Sequence, residues 1–191
     1  ASDLPQLAEN DGGLLKYSSD QSGTYRIKDE ISAEYQINSQ GWNSRHASYT
    51  YLKNPGTRRI ALIGDSYIEA LQVDYKESLT EQLESLLNKQ GIEVYRFGLS
   101  GAPLSHYLFM LEHEVLQYDP DFIIINMVDN DFLQSLGVSE GTYTRSFSTY
   151  RLKENGDYVI TLPESYHRNL AWYFKQSATF RYLYVRMKLF P

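Results

Sequence analysis

Arg59-Ile60-Ala61-Leu62-Ile63-Gly64-Asp65-Ser66 is the stretch on which the fold turns. An apolar run of this length, closed by turn residues, reads as a buried strand. Gly64-Asp65-Ser66 then lies where the strand ends and the chain must change direction. In open α/β sheets ligands bind beyond the carboxyl ends of the strands. A serine placed there can project into that crevice. Turns are rich in Gly, Asp and Ser, so the tripeptide alone is equally consistent with an ordinary turn.

Two later segments tilt that balance. Glu93-Val94-Tyr95-Arg96-Phe97-Gly98-Leu99-Ser100-Gly101 reads as a second strand running into a small-residue turn. Pro120-Asp121-Phe122-Ile123-Ile124-Ile125-Asn126-Met127-Val128-Asp129-Asn130-Asp131 reads as a third buried strand ending in Asn130-Asp131. Helices are expected between them. Ser78-Leu79-Thr80-Glu81 fits a capping box, Leu79, Leu83, Leu86 and Leu87 share a face, and Gly91 closes that helix. A further helix is expected over 103–117, with Tyr107, Met110, Leu111, Val115 and Leu116 buried. Strands alternating with helices specify a parallel sheet.

The three blocks, in this order, resemble the SGNH (GDSL-type) hydrolases. Gly64-Asp65-Ser66 matches the block carrying the nucleophile, Gly101 the glycine of the second block, and Asn130 the asparagine of the third. The resemblance runs from about Tyr35 to Asp131. Ile37-Asn38-Ser39-Gln40-Gly41 and Ser66-Tyr67-Ile68-Glu69-Ala70-Leu71-Gln72-Val73 are similar to a bacterial subgroup with an extra N-terminal β segment. It implies a flavodoxin-like parallel sheet with flanking helices, and Ser66 as nucleophile of an ester hydrolase or acyl transferase. The Ser66 N–H, the Gly101 N–H and the Asn130 amide would form the oxyanion hole, while Asp65 would hold the turn. No cofactor or metal is expected. Arg96 stands where the family usually has asparagine, and Val128 where the third block usually has glycine.

The family's base is a histidine with an aspartate three residues before it, and that block has no clean match. His46 precedes the first core strand, His113 is mid-helix between acids, and His106 lacks an acid at that spacing. Glu164-Ser165-Tyr166-His167 has the spacing, with Glu for Asp, but sits too soon after Asn130 for the family's further βα units. The expectation is an incomplete core. Residues 1–57 would be an N-terminal β extension, 58–131 part of the α/β core, and 132–191 an inserted lid or cap. That last span would hold a loop over 132–147, a hairpin turning at Asn155-Gly156 and a helix over 165–189. The Asp-x-x-His block would then lie beyond Pro191, with Glu164 and His167 as the alternative.

Composition narrows the partners. The chain has 191 residues, enough for one domain with a core. Its 17 tyrosines and 14% aromatic content exclude a disordered chain. Net charge of −6 argues against nucleic acid. The basic residues of the final stretch, Arg168, Lys175, Arg181, Arg186 and Lys188, read as a solvated helix face. No run is long enough to span a bilayer, so a membrane would be reached only through a removed N-terminal anchor. With no cysteine, thiol catalysis and disulfides are excluded. The first residues, Ala1-Ser2-Asp3, follow a removed leader or begin mid-gene, and the subgroup's habits point to the periplasm or cell envelope. The expected substrate is an acylated small molecule or an O-acetylated glycan. The rival reading is a non-catalytic relative that binds a glycan or a protein. A flavodoxin-like phosphate-binding module ranks last, because no glycine-rich phosphate loop opens a helix.

Overall fold

A computed structural model describes residues 4–8, 10, 12–27, 29–137, 144–168 and 177. Strands β1 (Gln21–Ile27) and β2 (Ile31–Ile37) pair as an antiparallel hairpin. Strands β3 (Arg58–Gly64), β4 (Ile92–Gly98) and β5 (Phe122–Ile125) form a parallel sheet in the order β4-β3-β5. Strands β6 (Thr149–Leu152) and β7 (Tyr158–Thr161) form a second hairpin around Asn155-Gly156, with Gly156 at φ 88°. The helices are α1 (Ser66–Glu69), α2 (Leu79–Leu87), α3 (Leu104–His113) and α4 (Asp129–Ser135). This is a mixed α/β fold built on a parallel sheet, as the alternation of strands and helices requires. Among the described residues no helix is long and apolar enough to cross a membrane.

Alternation along β3 divides the core. Ile60 and Leu62 meet Ile92, Val94 and Ile68 on one face. Ala61 and Ile63 join Tyr95, Phe97, Met110, Tyr118 and the N-terminal Trp42 and Tyr49 on the other. Both faces are covered, hence the unbroken apolar run. The free edge of β4 is closed by a side chain. The Tyr49 hydroxyl accepts from the Arg96 N–H and donates to the Arg96 carbonyl, each at 3.1 Å. Its ring stacks on Tyr95 at 4.0 Å. A phenol thus supplies the bonds that a neighbouring strand would make.

Several expectations are corrected. β5 is an exposed strand, not a buried one: Phe122 is 53% exposed and Ile124 44%. Among the described residues β3 is its sole strand partner. In α2, Leu79 and Leu86 face solvent, while Thr80, Glu81 and Glu84 are buried. Charge explains the rotation. Arg45 reaches both acids, and His46 and the Val94 N–H bind Glu84. Glu81 is therefore drawn away from the expected capping box, and the Ser78 side chain makes no cap bond. The next helix stops at His113 and a 3₁₀ turn covers Val115–Tyr118, leaving Leu116 exposed and Leu111 half-buried. The expected loop over 132–147 begins instead as the rest of α4, and Thr144–Ser146 is a 3₁₀ turn. Residues 165–168 are not helical, because Tyr166 bridges to Asn10. The remainder of the expected final helix lies outside the described residues, save Ser177.

Helix α1 packs directly onto β4. A Cβ at Gly98 would stand 2.2 Å from the Glu69 nitrogen and 2.6 Å from the Ile68 carbonyl carbon. Both neighbours are backbone, so neither can swing aside. On the far side, α3 grips the returning chain. The Ser105 hydroxyl donates to the Ser148 carbonyl at 2.7 Å, and the Ser148 N–H donates to His106 Nδ1 at 3.0 Å. The His106 ring is fully buried against Phe109 and Phe147, and burial holds its pKa down at about 3.

Gly98→Ala should therefore cost at least about 2 kcal/mol in urea unfolding. Gly13→Ala, with nothing within 4 Å, should stay within about 0.5 kcal/mol of the parent. For His106 the unfolded chain binds the proton first. Its contribution is whole above pH 6.5 and fades by about 1.4 kcal/mol per unit as pH falls toward 3. His106→Asn should be less stable than the parent at pH 7, and the gap should narrow at pH 4 by equilibrium unfolding.

Candidate active site

Ser66 is the first residue of α1, directly beyond the end of β3, and is half-buried. Asp65 caps the helix, its Oδ1 accepting from the Tyr67 N–H at 3.0 Å. It thus holds the turn, as expected. The helix is one turn long and ends at Ala70 in the left-handed region, φ 55°, with the Ala70 N–H on the Ser66 carbonyl. An alanine accepts that conformation at a cost of roughly 1–2 kcal/mol, so the surrounding contacts must fix the turn.

Gly101 follows β4, whose register sets Gly98 beside Gly64. The Leu99 N–H donates to the Gly64 carbonyl at 3.3 Å and carries the β3–β4 pairing one residue further. A tight turn then closes through Ala102 N–H to the Leu99 carbonyl at 3.0 Å. Gly101 has φ 77° and Ser100 has no positive φ, the signature of a type II turn with glycine in third place. The Gly101 N–H belongs to the central peptide of that turn and takes no part in its closing bond.

Asn130 lies in the first turn of α4, beyond β5, and is exposed. Its amide donates to Gln134 Oε1 at 3.1 Å. The acid beside it is buried. Asp131 accepts from the Tyr107 hydroxyl and from the Val128 N–H, both at 2.9 Å. Its charge, after burial, helps to raise the Asp65 pKa, while the Tyr67 N–H opposes the rise. Tyr107 is raised too, first by burial and then by its bond to Asp131. Ser66, Gly101 and Asn130 therefore stand beyond the same ends of three adjacent strands.

One residue at this edge escapes a reading by motif. Glu69, at the far end of α1, is 1% exposed. It accepts from the Tyr17 hydroxyl at 2.5 Å, from the Ser100 N–H at 3.1 Å and from the Ser100 hydroxyl. Burial raises its pKa, against those donors and the nearby Arg96 charge. Arg96 is itself buried, 4.0 Å from Glu81, and burial lowers its pKa. An acid three residues past a candidate nucleophile, on the same short helix, is the signal in the sequence that could have found Glu69.

Three of the histidines are engaged with other partners. His46 pairs with Glu84 at 2.8 Å, and His106 is sealed against β6. His113 is exposed, its Nδ1 3.0 Å from the Phe109 carbonyl. Glu164 and His167 lie on the exposed segment after β7. Several bonds anchor that segment, among them Glu164 N–H to the Arg145 carbonyl at 2.8 Å, Tyr166 N–H to the Asn10 carbonyl at 3.1 Å and the Arg168 guanidinium to the Leu7 carbonyl at 2.9 Å. Among the described residues no group of three or more His, Asp or Glu gathers as metal ligands. A cavity of about 380 Å³ opens between α3 and α4, walled by Leu104, Leu108, Leu111, Ile125 and Phe132.

No curated protein and no solved structure matches the chain. The model of the family described as GDSL-like lipase/acylhydrolase matches residues 60–171, from β3 through the second hairpin and beyond. With more than half its length matched, and with a serine, a glycine turn and an asparagine at successive strand ends, the chain belongs to the GDSL-like lipase/acylhydrolase family.

Proposed function

We propose that the chain acts on acyl esters through Ser66 as nucleophile. The observation that carries the reading is the shared edge: β3, β4 and β5 deliver Ser66, Gly101 and Asn130 beyond their carboxyl ends. The Ser66 hydroxyl attacks the ester carbonyl carbon and gives its proton to a base. Negative charge develops on the carbonyl oxygen. The Ser66 N–H, the Gly101 N–H and the Asn130 amide donate to it, each worth roughly 3–4 kcal/mol in the transition state. To do so, Asn130 exchanges its Gln134 partner for substrate. Collapse of the intermediate expels the alcohol, and water or a second alcohol then removes the acyl group.

Glu164 and His167 carry the acid-x-x-His spacing in this chain and are the candidate base of this proposal. The acyl chain enters the cavity between α3, the helix after Gly101, and α4, the helix that carries Asn130. Its apolar walls favour chains of several carbons over acetyl, on an acylated small molecule or a glycan. The engagement of Asn130 with Gln134 favours the rival reading, a module that binds such a ligand without turning it over.

Ser66→Ala should abolish hydrolysis of an activated acyl ester while changing stability by about 0.5 kcal/mol or less. His167→Ala should lose turnover to a similar degree. Undiminished turnover in the serine variant would remove the nucleophile, and in the histidine variant it would move the base elsewhere. Failure of the parent chain to turn over any ester that it binds would favour the module. Leu108→Trp should narrow the cavity and reduce the preference for octanoyl over butyryl esters roughly tenfold, a fraction of about 0.8 kcal/mol per methylene. A chain-length series of kcat/KM checks this.

A further inference from the structure

We propose that Glu69 is a positioning residue for the oxyanion site, holding the Ser100–Gly101 turn in register with Ser66. The inference rests on Ser66 being the nucleophile, and it adds a residue that neither the motif blocks nor the family match assigns.

Two donors must aim at one oxygen, the N–H of Ser66 on α1 and the N–H of Gly101 on the loop after β4. They belong to different segments, so something must fix their separation. Glu69 is the described side chain that spans the two. It stands three residues after Ser66 on the same short helix, and both of its oxygens hold Ser100. One accepts the Ser100 N–H and the other the Ser100 hydroxyl, which fixes the residue's backbone and its side-chain rotamer together. The type II turn then sets the central peptide, and with it the Gly101 N–H.

The helix end of this link is equally fixed. The Glu69 N–H donates to the Asp65 carbonyl at 2.9 Å, and its carbonyl accepts from the Asn43 amide at 2.8 Å. Gly98 allows α1 to lie against β4, which brings the carboxylate within reach of Ser100. Tyr17 adds the third donor, and Arg96 supplies a compensating charge. A glutamine at 69 keeps the shape but offers a single acceptor oxygen, and its amide cannot accept the second Ser100 donor. Misplacing a reacting geometry by about 1 Å costs on the order of a hundredfold in rate.

The test compares the parent, Glu69→Gln, Ser100→Ala and the double variant on an activated acyl ester, with thermal unfolding of each. A second readout is the rate at which an activated alkylphosphonate labels Ser66. Glu69→Gln should lower kcat roughly tenfold to a hundredfold with KM within about threefold, and slow labelling in parallel. Ser100→Ala should show a smaller loss of the same kind. The double variant should lose no more than the larger single change, since both break one link. If Glu69→Gln does not fold, Ser100→Ala decides, and its unaltered kcat overturns the proposal. A Glu69→Gln variant that melts earlier but keeps kcat and the labelling rate also overturns it. A parent with no Ser66-dependent turnover or labelling removes the nucleophile and this proposal with it. An active parent with an indifferent Glu69 removes this proposal alone.

Discussion

At Gly98 the backbone of α1 sits where a side chain would otherwise be. That contact sets the distance between the end of β3 and the loop after β4, and much else follows from it. Gly64 meets the same constraint from below, since a Cβ there would lie 2.5 Å from Ile68 Cγ1. With both positions stripped to glycine, one turn of helix can lie flat over two parallel strands. Ser66 and Glu69 then occupy opposite ends of that turn, one toward the crevice and one into the interior. A larger residue at either glycine would lift the helix and separate the two ends from their partners.

The interior beneath this turn is unusually polar. Glu69, Glu81, Glu84, Glu114, Arg59 and Arg96 are all buried. Leaving a buried charge without a partner is costly, and deleting one member of such a pair costs more than the pair contributes. Most of these groups are matched. Arg59 binds Glu93 and the Tyr118 carbonyl, while Glu114 binds Lys16 and the Trp42 indole at 3.2 Å. The Arg96 guanidinium has no hydrogen-bond acceptor among the described residues and rests on the nearby charges of Glu81 and Glu69. It occupies the position where the family usually carries asparagine. Its charge is one of several influences that oppose the burial-driven rise of the Glu69 pKa.

The strands were legible because their signal is local: β3 is an apolar run, β4 a mostly apolar one, and both end in small residues. Asn155-Gly156 likewise announced its hairpin. The buried face of α2 was not legible. Its leucines follow helical spacing, but Arg45 and His46 arrive from far upstream and turn Glu81 and Glu84 inward. Local periodicity has no access to a partner nearly forty residues away. β5 failed for a related reason, since its four apolar residues are indistinguishable in sequence from a central strand, and only pairing shows which edge is open. At the site, Ser66, Gly101 and Asn130 could be placed by motif, whereas Asn130's bond to Gln134 and Glu69's hold on Ser100 depend on side-chain geometry.

The N-terminal segment carries a consequence for synthesis. Its partners lie from 26 residues onward for Asn43 with Glu69, through 98 for Lys16 with Glu114, to 161 for Leu7 with Arg168. At roughly 5–20 residues per second, Lys16 waits about 5–20 s for Glu114 to be made. Leu15, Trp42 and Tyr49, all buried in the finished fold, likewise await the β4 and α3 residues with which they share the core. This segment, made before the sheet it packs on, settles only after β3, β4 and α3 have followed.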